Sequence, residues 1–163
     1  EYAKYPWGGP YTTTDRGCFL ANFKPERGNY AAGGALYTVE VQSFNANDYG
    51  LYNMSGNVAE WTMDQYDSTF MSKLNTGQLD PVAFPTSRYP RSIRGGSYMD
   101  DASLLKASSR SFSIPGWNKR DPQIPKSRWW LTDGMFVGFR ILRPISQPTA
   151  EEAEKFYKLY LGN

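Results

Sequence analysis

The sequence predicts a globule rich in loops and built on an aromatic core, and three observations carry that prediction. Its 163 residues include 15 Gly and 11 Pro, more turn formers than an average domain holds. They also include 9 Phe, 5 Trp and 12 Tyr, an aromatic content that disordered chains do not reach. Short apolar pieces broken by Gly and Pro fill most of the chain, and a single amphipathic helix pattern closes it. A chain of this length is expected to form one domain and to bury about two-thirds of its unfolded surface.

Taken in order, Tyr5-Pro6-Trp7-Gly8-Gly9-Pro10 is a turn cluster, followed by a short piece at 18–23. Residues 36–44, LYTVEVQSF, mix β-branched and aromatic side chains and read as a strand. In YGLYNMSGNVAEWTMD, residues 49–64, the spacing suggests a short helix over about 57–62 entered by Ser55-Gly56, then an exposed loop to 80. Residues 91–98 read as a strand ending in a Gly pair, and 101–110 as either a helical turn or a strand. Three Pro make 113–128 a long surface loop. FVGFRIL at 136–142 returns as a strand in which Gly138 marks a close backbone approach. The division expected is a globular part over 1–145 and a terminal helix over 146–163. Thr149 and Glu152 form a capping-box pattern, Ala153, Phe156, Tyr157, Tyr160 and Leu161 share a face, and Gly162 supplies the stop. That face either docks on the globule or meets a partner.

Several function classes are excluded early. The chain has no His, so an imidazole base, a Ser-His-Asp triad or a His zinc site cannot be built within it. A single Cys rules out an internal disulfide or a Cys-rich metal cluster. Residues 88–128 carry nine Lys or Arg among Tyr89, Tyr98, Phe112 and Trp117, an interleaving that a nucleic-acid groove would need. A net charge of +2 argues against that partner and against a membrane surface; aromatics in long loops could instead stack on a glycan. No apolar run is long enough to span a bilayer, and no leader pattern is read behind Glu1.

Three ordered blocks then change the argument: NDYGLYNMSGNVAEW at 47–61, RGGSYM at 94–99 and GFR at 138–140. With YPWG at 5–8 and ANF at 21–23, they resemble the formylglycine-generating-enzyme, or sulfatase-modifying-factor, domain. The likeness covers about residues 5–143 and answers to the later part of that domain. The chain is therefore expected to be a piece of something longer or to be completed by another segment. The resemblance implies an α+β, C-type-lectin-like fold, loop-rich and with little regular secondary structure. Enzymes of the family, it further implies, oxidise a sulfatase cysteine with two cysteines and copper. The first cysteine directly follows RGGSYM and the second stands five residues later, where this chain has Asp100 and Leu105. Neither side chain binds Cu(I) as a thiolate does, nor exchanges a disulfide, so no catalytic residue and no copper are expected. Cys18 reads as a small buried apolar residue, and Asp100 and Asp101 as turn or surface carboxylates.

Structural calcium is also implied. At GNVAEW, Asn57 and Glu60 would offer side-chain oxygens and Ser55 and Val58 backbone carbonyls, toward the roughly six to eight oxygens that calcium takes. The alternative is a capped short helix in which Asn57 and Glu60 bond backbone amides. A degenerate second site would use Asn22 and Phe23, with Ala31-Ala32-Gly33-Gly34 where the family places an Asp. In wording, DYGLYNMSGNVAEW, RGGSYMDD and RWWLTDGMFVGFRILRP are similar to the non-catalytic gliding-motility and type IX secretion lipoproteins of Bacteroidetes. That implies a scaffolding component of a bacterial cell-envelope assembly, at the periplasmic side of the outer membrane or the cell surface, with other protein subunits as partners. A formylglycine-generating oxidase and a carbohydrate-binding module are the alternatives.

Overall fold

The computed structural model describes residues 3–25, 28–33, 35–75, 77–78, 81–119, 121–126 and 134–161, the side chains of the last two excepted. Among the described residues its sheet has four strands: β1 Ala59–Gln65, β2 Arg91–Arg94, β3 Ser111–Phe112 and β4 Val137–Gly138, in the order β3-β2-β1-β4. β2 runs antiparallel to β1 and β3, and β4 parallel to β1. Short 3₁₀ turns lie at Phe70–Lys73 and Pro115–Asn118, and α1 spans Ala150–Leu161. With long connections and one α-helix among the described residues, this is an α+β architecture.

The helix expected over 57–62 is instead the start of β1. Gly56 and Asn57 both take left-handed backbone, at φ +80° and +68°, which cannot begin a right-handed helix. They reverse the chain, and the strand then alternates Ala59, Trp61 and Met63 against Glu60, Thr62 and Asp64. The strand expected over 36–44 is extended chain and turn with no ladder partner among the described residues. A side chain stands in for the missing strand: Asn57 Oδ1 accepts from the Val39 N–H at 2.9 Å, and Asn57 Nδ2 donates to the Val39 carbonyl at 3.1 Å.

Residues 101–110 resolve as turns, with the Leu104 and Leu105 amides donating three residues back to Asp101 and Ala102. In the expected 64–80 loop, β1 runs on to Gln65, and Asp67 organises the 3₁₀ turn that follows. Its carboxylate accepts from Lys73 and Thr69, which lowers its pKa to about 2. Within 113–128 the described loop contains one 3₁₀ turn; residues 120, 127 and 128 lie outside the described ones. Only Val137–Gly138 of the expected 136–142 strand pairs, and a Cβ on Gly138 would stand 3.3 Å from Val58 Cγ2. The capping box forms as read: Thr149 N and Oγ1 donate to Glu152 Oε2 at 2.8 and 2.9 Å, and the Glu152 N–H donates to Thr149 Oγ1 at 3.2 Å. Beyond it, Ala153 is half-buried, whereas Phe156 and Tyr157 are exposed, so the helix face is only partly covered. Gly162 falls outside the described residues.

The core lies beside the sheet. Tyr5, Ala21, Phe23 and Leu105 are buried together, with Trp7, Phe19 and Ala102 packed against them. Tyr5 stacks on Trp7 at 4.9 Å, and Phe19 meets Phe23 edge-to-face at 5.6 Å. Each fully buried Leu or Phe in such a cluster contributes about 1.5–3 kcal/mol.

Candidate functional site

The RGGSYM block and the chain around Gly56 interlock in a knot of turns. Gly95 and Gly96 both adopt positive φ, +87° and +68°. A Cβ on Gly96 would stand 3.1 Å from Leu105 Cδ1, and one on Gly95 3.1 Å from the Met54 carbonyl oxygen, so glycine is what lets three segments touch. The Gly56 N–H donates to Gly95 O at 2.9 Å, the Asn57 N–H to Asn22 O at 2.7 Å, and the Tyr98 N–H to Asn57 O at 2.9 Å. Ser55 Oγ donates to the Leu105 carbonyl at 2.6 Å. Polar groups sealed from water must be paired, and these pairs fasten the knot.

Asp100 and Leu105 both belong to it. Leu105 is wholly buried. Asp100 Oδ2 accepts from Ser97 N–H and Oγ–H at 2.8 and 2.7 Å, and its amide donates back to Ser97 O. Asp101 points elsewhere, pairing with Lys24 at 3.2 Å, so the two carboxylates share no proton. Cys18 corrects its expectation: it is exposed, because it closes the tight turn between Thr13 and Phe19, where its amide and carbonyl both bond Thr14.

The expected calcium donors divide. Asn57 faces Asn22 and Val39, and its Oδ1 already accepts two N–H bonds. Glu60 faces the other way, its two oxygens held by Arg140 Nε at 2.6 Å and Nη2 at 2.5 Å. The same Arg140 Nη2 donates to the carbonyls of Tyr52 and Asn53. Ser55 contributes its hydroxyl to the knot, and Val58 packs on Gly138. As placed, Asn57 and Glu60 do not fit a shared ion. The Glu60 bond raises the pKa of Arg140, against the opposing pull of burial. At the second expected place, Asn22 Oδ1 is buried and lacks a hydrogen-bond partner among the described residues. A Cβ on Gly33 would sit 3.6 Å from the Phe23 carbonyl oxygen and 3.9 Å from that of Ala21. Asn22 and Phe23 therefore fit the neutral half of a cation site, while Gly33 brings no carboxylate to it.

Arg140 was legible only as part of the GFR block. Eighty residues separate it from Glu60, and no local pattern announces the pair. Together they wall a cleft of about 810 Å³ that also takes in Arg94, Leu142 and Phe156 of α1.

Comparison with known proteins places this geometry. A family model described as a sulfatase-modifying factor enzyme 1-like domain matches residues 1–122. The chain belongs to this family. A formylglycine-generating enzyme of Streptomyces coelicolor is 35% identical over 116 residues, covering 69% of this chain and 36% of that enzyme. An inactive C-alpha-formylglycine-generating enzyme 2 of Bos taurus is 37% identical over 65 residues, 39% of this chain and 21% of that protein. Among solved structures, PvdO from Pseudomonas aeruginosa shares the fold with a TM-score of 0.53, at 21% identity over 81% of this chain and 44% of that one. This sulfatase-modifying-factor domain thus spans little more than a third of the Streptomyces enzyme it matches.

Proposed function

We propose that the domain is a non-catalytic scaffolding module of a bacterial cell-envelope assembly, of the gliding-motility or type IX secretion kind. It would bind other subunits at the periplasmic side of the outer membrane or at the cell surface. One observation carries the reading: of the two positions where thiols are expected, Leu105 is sealed in the core and Asp100 closes a turn on Ser97. An isobutyl group and a hydrogen-bonded carboxylate supply neither a soft copper ligand nor a thiol for exchange. Phe139, Ile141, Leu142 and Ile145, exposed where the chain leaves β4, support a role in contacts, since clustered exposed apolar side chains mark interaction surfaces. For calcium, this reading keeps Asn22 and Phe23 as neutral donors to an ion whose anionic ligand comes from elsewhere.

The names of several relatives favour the second reading, a formylglycine-generating oxidase. Incubation of the protein with a sulfatase-motif peptide, copper and dioxygen separates the two. The expected result is a peptide of unchanged mass with its thiol intact; conversion of that cysteine to an aldehyde overturns the scaffold reading. A pull-down from solubilised envelope should then recover other envelope subunits.

A further inference from the structure

The middle of β1 carries a feature that the scaffold reading leaves unused. Trp61, Thr62 and Met63 follow Glu60 along the strand and line two clefts, the one that Glu60 and Arg140 wall and a second beside it. Here the pairing with β2 is irregular: Trp61 stands opposite Ile93 and Gln65 opposite Arg91, so four steps along β1 answer to two along β2. Such a bulge opens the ladder and re-aims side chains. Side chains bridge the gap, Thr62 Oγ1 donating to the Ser92 carbonyl and Arg91 Nη1 to the Met63 carbonyl, each at 3.1 Å.

Beside the bulge lies an open cleft of about 500 Å³, walled by these residues and by Arg88, Tyr89, Trp117 and Asn118. Its size is that of a small-ligand site. Its charge is one-sided. Among the described residues two guanidinium groups line it and no carboxylate does, and there neither Arg88 nor Arg91 is in an ion pair. Arg88 lies 5.6 Å from the centre of the Tyr89 ring, a cation–π placement that holds it at the rim. Arg91 gives one nitrogen to Met63 and keeps other N–H groups of its fork for a ligand.

The aromatic geometry narrows the ligand further. Trp61 and Trp117 meet at 90° with centroids 6.0 Å apart, and Trp117 meets Phe136 at 81° and 5.0 Å. Perpendicular rings make no parallel slot for a flat base, but they fix one indole at an open wall. A sugar ring suits such a wall, because it lays C–H groups on one aromatic face and turns its hydroxyls to the edge, where Thr62 and Asn118 stand.

We propose that this cleft binds an acidic saccharide, its ring stacked on Trp117 and its carboxylate or sulfate held by Arg88 and Arg91. Forked guanidinium groups recognise both acid types in the same way, so the anion's identity is left to experiment. Intrinsic tryptophan fluorescence and calorimetry on the whole chain would compare oligogalacturonate, a chondroitin sulfate hexasaccharide, maltohexaose and an oligothymidylate. Binding by one or both acidic saccharides, weakening as salt rises, with maltohexaose at least about tenfold weaker, is the expected result; which of the two binds identifies the acid. Trp117→Ala should weaken that binding by about tenfold or more. The double variant Arg88→Gln, Arg91→Gln should abolish the preference for acidic over neutral sugar. The proposal is overturned by absence of saccharide binding, by equal binding of maltohexaose, or by oligothymidylate binding as tightly as the acidic sugars. Unchanged affinity in a Trp117→Ala protein with native circular dichroism overturns it too. None of these outcomes bears on the scaffold reading, whose test is a peptide assay.

Discussion

Residues 19–24, 54–58 and 95–105 contain no strand or helix among them, yet Phe23, Ser97 and Leu105 there are closed to solvent. Residues 139–161 contain the longest regular element, and nearly every described side chain in them faces water. The difference teaches where order comes from in this domain. Turns cross-linked by buried polar bonds make the rigid part, because each bond joins segments far apart in sequence and is shielded from water. The helix, with its hydrogen bonds internal, is tied to the remainder chiefly through Arg140 upstream and the Phe156 contact with the cleft.

The comparison breaks most severely at Gly56. A Cβ there would lie 2.5 Å from the Asn22 carbonyl oxygen, at a backbone φ of +80°. Gly56→Ala should therefore destabilise the domain by about 3 kcal/mol or more, read as loss of the cooperative urea transition; a near-native midpoint would show that the knot can yield. Leu105→Ala, which empties the centre of the knot, should cost about 2–5 kcal/mol by the same measurement.

Glu60→Gln tests the tie between the two regions. It replaces a half-buried ion pair by a weaker hydrogen bond to Arg140 and should cost about 1–3 kcal/mol. The loss should be equal in calcium and in chelator, because the carboxylate's partner is a guanidinium. A loss seen only with calcium would return Glu60 to an ion.

The smallest effect belongs to the capping box. Thr149→Ala should cost about 0.5–2 kcal/mol and appear as faster amide exchange in α1 alone. Bonds from Thr149 lower the pKa of Glu152. A depressed carboxylate pKa means the stabilisation is complete above the ordinary glutamate range and is lost as pH falls through the lowered value. Helical ellipticity should therefore decline on acidification below that range, and the decline should be smaller in Glu152→Gln, where only Glu151 and the Glu154–Lys158 pair still respond to acid.

How much of this was legible beforehand follows the same divide. The terminal helix could be read because a capping box and a 3.6-residue stripe are local signals. The loop-rich, aromatic-cored character could be read because composition reports turns and aromatics directly, whereas the α+β class came with the family wording. The strand at 59–65 could not, since AEWTMD suits either period and the choice is made by left-handed backbone at Gly56 and Asn57. The segment at 36–44 misled for the complementary reason: its strand-like residues are satisfied by a side chain rather than by another strand. At the site, Asp100 and Leu105 were placed by family wording, whereas the Glu60–Arg140 pair and the Trp61–Trp117 cleft join residues too distant for any spacing rule.

That carboxamide of Asn57 has a kinetic consequence. Both polar groups of Val39 close on one side chain, while Asn22 Nδ2 donates to the Tyr37 carbonyl and Asn53 Nδ2 to that of Val41, so three carboxamides secure the bend and Asn57 is its middle latch. Such a segment opens with a free energy set by a few side chains rather than by a ladder, and at Val39 itself by Asn57. In native-state hydrogen exchange the Val39 amide should behave as a switch: well protected with Asn57 present, and exchanging near the open-chain rate in Asn57→Gly, which keeps the left-handed backbone but removes the latch.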